Sequence, residues 1–253
     1  DTSLERAVIR HRTGGPDGGT FESYITGHPN DFERYLLAEV QQVDHDVTDR
    51  PPAKDVFDWF ARMQHYGVPT RLLDWTHSPY VALFFSLQDC PVGGECAVWA
   101  VDVGWLNSMA SEKLGIEISA KPQCVRALNE HLNSKLCDKS NPSLVVAAAP
   151  TNVNARRTAQ QGVFLCDLGF EDTFDLTLLR MLYSSILSSA IQSPVLWKIT
   201  LSTVERVHFL RELNEIDIHR ASLFPGQDFD PEIRRKLQIK IDEIYKLISW
   251  EIT

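Results

Sequence analysis

Residues 63–86 read MQHYGVPTRLLDWTHSPYVALFFS, a dense group of polar and aromatic side chains around three turn-forming residues. Gly67, Pro69 and Pro79 define the backbone, so the polar side chains lie on a rigid turn, strand and second turn. A preset geometry of this kind is what a ligand pocket needs. The same stretch is also compatible with a buried network in which Arg71 pairs with Asp74 or another acid.

Helical and extended patterns alternate irregularly on both sides of this segment. Helical patterns cover residues 30–43, 55–66, 79–88, 124–133, 176–189 and 202–214. Short extended or apolar runs at 72–74, 96–103, 144–149, 163–166 and 195–200 indicate strands. Because the intervening helices are unequal and no βαβ period appears, the pattern predicts an α+β fold.

The closing segment, residues 230–253, predicts an amphipathic C-terminal helix. One face of that helix carries an apolar stripe, formed by Ile233, Leu237, Ile241, Ile244 and Ile248. We expect this helix to pack on the single domain formed by residues 1–229.

Composition narrows the class of protein. The 253 residues are 43% hydrophobic and 23% charged, which is ordinary globular usage, and the formal net charge is −9. That negative charge argues against non-specific electrostatic binding of nucleic acid over a broad surface. No apolar run approaches the roughly 18 residues of a membrane span. We therefore expect no membrane contact. The five cysteines lack a Cys-x-x-Cys pair, so we expect reduced thiols and no bound metal. Reduced thiols are typical of a cytoplasmic location, which we also expect.

The run from Gln64 to Phe85 closely resembles the hallmark of the FRG domain family. It reads Gln-His-Tyr-Gly-x-Pro-Thr-Arg-Leu-Leu-Asp-Trp-Thr and continues with Ser-Pro-Tyr-Val-Ala-Leu-Phe-Phe. Residues 2–6, residues 154–164 (as a strand motif) and residues 216–226 resemble further motifs in the family's order. The resemblance thus identifies residues 1–229 as the FRG domain, although the Phe-Arg-Gly triplet itself does not occur in the sequence.

The resemblance implies an ADP-ribosyltransferase-like fold of small mixed sheets surrounded by helices, with NAD as the substrate. It also implies a toxin or anti-phage defence effector that modifies a macromolecular acceptor, either a protein or a nucleic acid. A cognate antitoxin or inhibitor is a further implied partner. Cleavage of the nicotinamide–ribose bond creates an oxocarbenium-like centre, so the site must aim dipoles at developing charge.

Four residues are candidate catalytic groups. By the resemblance, Gln160 or Gln161 lies where such transferases usually place a catalytic Glu, and a Gln brings no negative charge. Arg71 and Asp74, from the quoted segment, are the other two.

The candidate NAD-binding residues surround them in the sequence. An arginine at position 71, 156 or 157 is suited to the pyrophosphate, and an aromatic ring at position 66, 75 or 80 offers a face to nicotinamide. By the resemblance, the turn at 76–80 would line the nicotinamide side. The full candidate set is Gln64, His65, Tyr66, Thr70, Trp75, Thr76, Ser78, Tyr80 and Arg156.

Two other functions compete with the transferase. The Gln in place of Glu and the missing triplet favour a non-catalytic module that binds a nucleotide or a partner protein. A helix-based RNase is the second alternative, because Arg126 and His131 have the spacing of an Arg-x4–6-His motif on a predicted helix. The same spacing recurs at Arg6/His11 and Arg71/His77, so it does not single out one site.

Overall fold

The computed structural model contains two small antiparallel sheets. It describes residues 29–44, 50–88, 90–91, 93–136, 138, 140–151, 155–188 and 193–225, with single positions at 235, 239 and 242. In the first sheet, β1 (Leu72–Thr76), β4 (Gly162–Asp167) and β3 (Val145–Ala148) lie side by side in that order. In the second, β2 (Glu95–Val101) pairs with β5 (Leu196–Ser202). Two unequal sheets among helices confirm the α+β prediction.

The helices of the described residues are interspersed with these strands. The longer ones are α1 (Pro29–Val43), α2 (Val56–His65), α3 (Pro79–Gln88), α4 (Val103–Leu114), α5 (Pro122–Lys135), α7 (Phe174–Leu187) and α8 (Arg206–Glu215). Two short helices, α6 (Ala155–Gln160) and α9 (Arg220–Leu223), complete the set.

One large core joins the three-stranded sheet to α1, α2, α4, α5 and α7. Leu36, Phe57, Phe60 and Leu72 are fully buried in it, which accounts for the helical stripes of the sequence. A smaller cluster joins α3, α8 and α9, where Val81 and Phe84 pack with Leu213 and Leu223.

Three segments differ from the sequence prediction. The helix expected over 202–214 begins only at Arg206, because β5 continues to Ser202. The strand expected over 96–103 ends at Val101, because Asp102 caps a helix that the apolar pattern did not reveal. The Asp102 carboxylate accepts hydrogen bonds from the backbone N–H groups of Gly104 and Trp105, at 2.7 and 3.2 Å. Likewise, the strand motif expected over 154–164 contains the helix α6 before β4 begins at Gly162.

The expected C-terminal helix, residues 230–253, lies outside the described residues except for Arg235, Ile239 and Asp242. Within the described part of the chain, no helix combines the length and the apolar character that crossing a bilayer requires.

Candidate functional site

A cavity of about 1200 Å³ lies between the three-stranded sheet and β2. Strands β1 and β4 supply one wall, β2 supplies another, and α2, α3 and α6 contribute side chains around them. Its polar and aromatic lining consists of Arg50, Asp58, Arg62, Gln64, His65, Asp74, Trp75, Thr76, Phe85, Ser86, Trp99, Arg156, Arg157, Gln160 and Phe164.

Asp74 presents a carboxylate to this cavity from the middle of β1, where it pairs with Phe164 of β4. The Gln64 side-chain amide donates to Asp74 Oδ2 at 3.2 Å, and the Thr70 hydroxyl donates to Gln64 Oε1 at 2.7 Å. The Thr70 oxygen in turn accepts the N–H of Leu72 at 3.3 Å. Asp74 is therefore held by a chain of hydrogen bonds that begins at the backbone of its own strand.

The environment of Asp74 disfavours its charge. Water reaches the carboxyl from the cavity, but protein surrounds it on the other sides, and this desolvation raises the pKa of Asp74. The hydrogen bond from Gln64 and the positive charge of Arg156 oppose that rise. A carboxylate with a raised pKa is a better proton acceptor than an ordinary one, and such groups are common at functional sites.

A tight turn brings Gln64 next to Asp74. Helix α2 ends at His65, and the N–H groups of Gly67 and Val68 donate to the carbonyls of Gln64 and Met63, each at 3.0 Å. Gly67 has φ +83°, in the left-handed region of backbone conformation that residues other than glycine rarely adopt. The Tyr-Gly-Val-Pro part of the quoted segment thus positions a helix end against the following strand.

Four arginines line the cavity against two aspartates, which gives a net positive lining in a chain of formal net charge −9. The Arg156 guanidinium lies 4.7 Å from the centre of the Phe224 ring. Arg157 donates to the carbonyls of Gly162 and Pro150, at 3.2 and 2.8 Å, and desolvation lowers its pKa. Arg62 pairs with Asp44 behind the wall. An anionic ligand suits such a lining.

Asp58 connects α2 to the chain that leads into α6. Its carboxylate accepts hydrogen bonds from the N–H of Thr151, at 2.9 Å, and from the Thr151 hydroxyl. The hydroxyl of Thr76 donates to the carbonyl of Gln160 at 2.7 Å and so joins the other end of α6 to β1. The Thr76–Gln160 contact fixes the end of the short helix that carries Arg156 and Arg157 to β1, and the Asp58 contacts fix Thr151 to α2.

Comparison with known proteins gives a family match for the first part of the chain. Residues 1–91 match the model of the FRG domain. This part of the chain is therefore similar to the FRG domain. No curated protein and no solved structure gives a significant match.

The FRG match and the residues beyond it both contribute to the cavity. Gln64, Asp74 and Trp75 lie within the match, whereas Trp99, Arg156 and Gln160 lie beyond it. The motifs noted near residues 154–164 and 216–226 therefore fall outside the matched range. The site is completed by residues that the comparison does not cover.

The structure brings about half of the residues predicted from the sequence together around the cavity. These are Gln64, His65, Asp74, Trp75, Thr76, Arg156 and Gln160. The Gln160 amide donates to the carbonyl of Leu223 at 3.0 Å, so its side chain is engaged in the wall.

The other predicted residues do not line it. Thr70 supports Gln64, and Ser78 accepts the N–H of Val81 at the start of α3. Tyr66 contacts Arg62, and Tyr80 is 56% exposed outside the cavity. Gln161 follows α6 with φ +47°, and its carbonyl accepts the N–H of His77.

Arg71 is the largest departure from the predicted site, because it lies in the core and not on the cavity. Its guanidinium forms a buried ion pair with Glu33 and donates to Asn30 and to the carbonyls of Leu168 and Leu136, the last two at 3.0 and 2.9 Å. It also lies 4.1 Å from the centre of the Phe170 ring. The buried network anticipated as an alternative is therefore present, with Glu33 as the acid.

Sequence reasoning missed several lining residues, including Asp58, Arg62 and Trp99. A signal for two of them exists, since Asp58, Arg62 and His65 recur at helical spacing on α2, opposite its buried Phe57, Phe60 and Met63. Trp99 carries no comparable signal, because β2 joins the cavity only through the tertiary fold. The RNase candidates Arg126 and His131 lie on α5 and do not line the cavity.

Proposed function

We propose that this chain is an NAD-dependent ADP-ribosyltransferase whose substrate binds in the cavity around Asp74. The observation that carries the proposal is the combination of a hydrogen-bonded carboxylate with four arginines and two tryptophans in one cavity. The resemblance of the quoted segment to a family proposed as ADP-ribosyltransferase-like supports the choice of NAD. By the same resemblance, the protein acts inside the cell as a toxin or defence effector on a macromolecule.

The chemistry assigns a role to each group. The bond between ribose C1′ and the nicotinamide nitrogen breaks, nicotinamide leaves with the electron pair, and an acceptor lone pair forms the new bond at C1′. Asp74 stabilises the positive charge that develops on the ribose and accepts the proton lost by the acceptor. Arg156 binds the pyrophosphate, and Trp75 or Trp99 stacks on the bases.

In this proposal Asp74, and not Gln160 or Gln161, takes the place of the catalytic Glu of such transferases. The Gln160 amide is hydrogen-bonded to Leu223, and Gln161 does not line the cavity. Asp74 supplies the negative charge that a glutamine lacks.

The first experiment incubates the protein with NAD, labelled in its adenylate half, in a cell lysate. We expect release of nicotinamide together with label on a macromolecule. Nicotinamide release without label transfer would instead indicate a glycohydrolase. Binding of NAD without any product over hours would favour the non-catalytic module.

Arg156→Ala should weaken NAD binding, because a charge-assisted hydrogen bond to phosphate is lost. The expected increase in KM is about 10–100-fold. Arg180→Ala is the matched control, since Arg180 lies on α7, is 63% exposed and pairs with Asp172 away from the cavity. Equal KM values for both variants would exclude Arg156 from the binding site.

Gln64→Leu should move the pH dependence of kcat/KM. Gln64 donates to the ionised carboxylate of Asp74 and so opposes the rise of its pKa. Without this hydrogen bond the pKa of Asp74 rises further, and the fall in activity at acidic pH begins at a higher pH than in the wild type. Gln123→Leu, on the exposed surface of α5, is the control. An unchanged or downward-shifted acidic limb would contradict Asp74 as the base.

A further inference from the structure

Two consecutive residues outside the cavity contact three residues that line it. The Leu223 carbonyl accepts the Gln160 amide at 3.0 Å, and the Phe224 ring lies 4.7 Å from the Arg156 guanidinium carbon. The same ring meets Phe85 edge to face, with ring centres 6.1 Å apart. Leu223 and Phe224 thus touch α6 and α3 from behind the cavity wall.

The position of Phe224 is fixed by its neighbours. Leu223 is 2% exposed and packs with Val81, Phe84 and Leu213. The backbone N–H of Phe224 donates to the Arg220 carbonyl at 3.0 Å. Phe224 itself is partly buried and packs against this cluster, so its ring can restrict a more flexible side chain that rests on it.

Arg156 is the side chain that gains most from such a support. A long arginine side chain loses many rotamers when it binds a ligand, and an aromatic face that holds its planar guanidinium reduces that cost. Arg156 also acts on Asp74 through its charge. A ring that sets where Arg156 lies consequently affects the anion-binding part of the cavity, whereas a Phe224 variant keeps the Arg156 charge that acts on Asp74.

We infer that Phe224 is a positioning residue, which holds Arg156 and Phe85 for the pyrophosphate-bearing substrate. The identity of that substrate rests on the function proposed above. The inference adds a contribution from residues 223–224, far beyond the matched range of the FRG domain, to the affinity of the site.

The test measures binding of NAD and of inorganic pyrophosphate, with KM and kcat, for four proteins. These are the wild type, Phe224→Leu, Arg156→Ala and the double variant. Phe224→Leu should raise the dissociation constants and KM about 2–5-fold at unchanged kcat, the size expected of one cation–π contact. Phe224→Tyr, which keeps the ring, should bind as the wild type does. Arg220→Ala is the control, because Arg220 is exposed, lies 5.3 Å from the same ring and does not line the cavity.

The double variant decides the result. If Phe224 acts through Arg156, the Phe224→Leu change has little effect on pyrophosphate binding once Arg156 is alanine. Full additivity of the two changes would overturn the inference. Where Phe224→Leu does not fold, Phe224→Met replaces it in the cycle.

The same data separate this inference from the proposed function. One outcome is that the wild type binds pyrophosphate but not NAD, with non-additive effects of Phe224→Leu and Arg156→Ala on pyrophosphate binding. That result would support Phe224 as a positioning residue and reject the NAD-dependent activity. Binding of neither probe by the wild type would overturn both.

Discussion

Arg71→Ala is expected to destabilise the protein strongly and to abolish activity only through that loss. The substitution leaves Glu33 as an uncompensated buried charge and removes the donor to the Leu168 and Leu136 carbonyls. Burial raises the pKa of Glu33, and Arg71 opposes that rise. Breaking a buried ion pair by removing one partner costs about 3–5 kcal/mol. For a chain of this size the melting temperature should fall by roughly 6–20 °C.

An exposed ion pair provides the control for this buried one. Lys121 and Glu117 form an ion pair on the surface, with side chains 61% and 64% exposed, so Lys121→Ala should leave the melting temperature nearly unchanged. Thermal unfolding followed by circular dichroism measures both variants. An Arg71→Ala protein that melts like the wild type but has lost NAD turnover would place Arg71 in the reaction after all.

Sequence patterns located the motif but not the direction of each of its side chains. Arg71 and Asp74 are three residues apart in the same polar segment, yet one is 1% exposed in the core and the other faces the cavity. The partner that draws Arg71 inward is Glu33, 38 residues earlier on α1. A single sequence does not reveal which acid meets which arginine across that separation.

Regular elements were more predictable than the site. The apolar stripes of α1 and α2 follow from local periodicity, and the structure places both helices within two residues of the predicted bounds. The far wall of the cavity depends on β2, whose pairing with β5 joins residues about a hundred positions apart. The wall formed by the quoted segment, with Gln64 and Asp74, could therefore be anticipated from the sequence, whereas the wall formed by β2, with Trp99, could not.

Asp74→Asn is the change expected to have the largest effect on the reaction. The asparagine keeps the size of the side chain and an oxygen that accepts the hydrogen bond from Gln64, but it carries neither negative charge nor basicity. Loss of a general base or of charge stabilisation typically lowers kcat by about 10²–10⁴-fold. Because Arg156 still binds the pyrophosphate, NAD affinity should change little.

The stability of the same variant provides the decisive contrast with Arg71→Ala. A carboxyl whose pKa is raised on folding binds more protons folded than unfolded, so its ionisation reduces stability as the pH rises through that interval. Removing the charge at neutral pH should leave the melting temperature equal to or above that of the wild type. Asp175→Asn, at an exposed position on α7, controls for the loss of one surface charge. A folded Asp74→Asn protein with wild-type turnover would exclude Asp74 from catalysis, whereas an inactive and fully stable one would locate the reaction at this carboxylate.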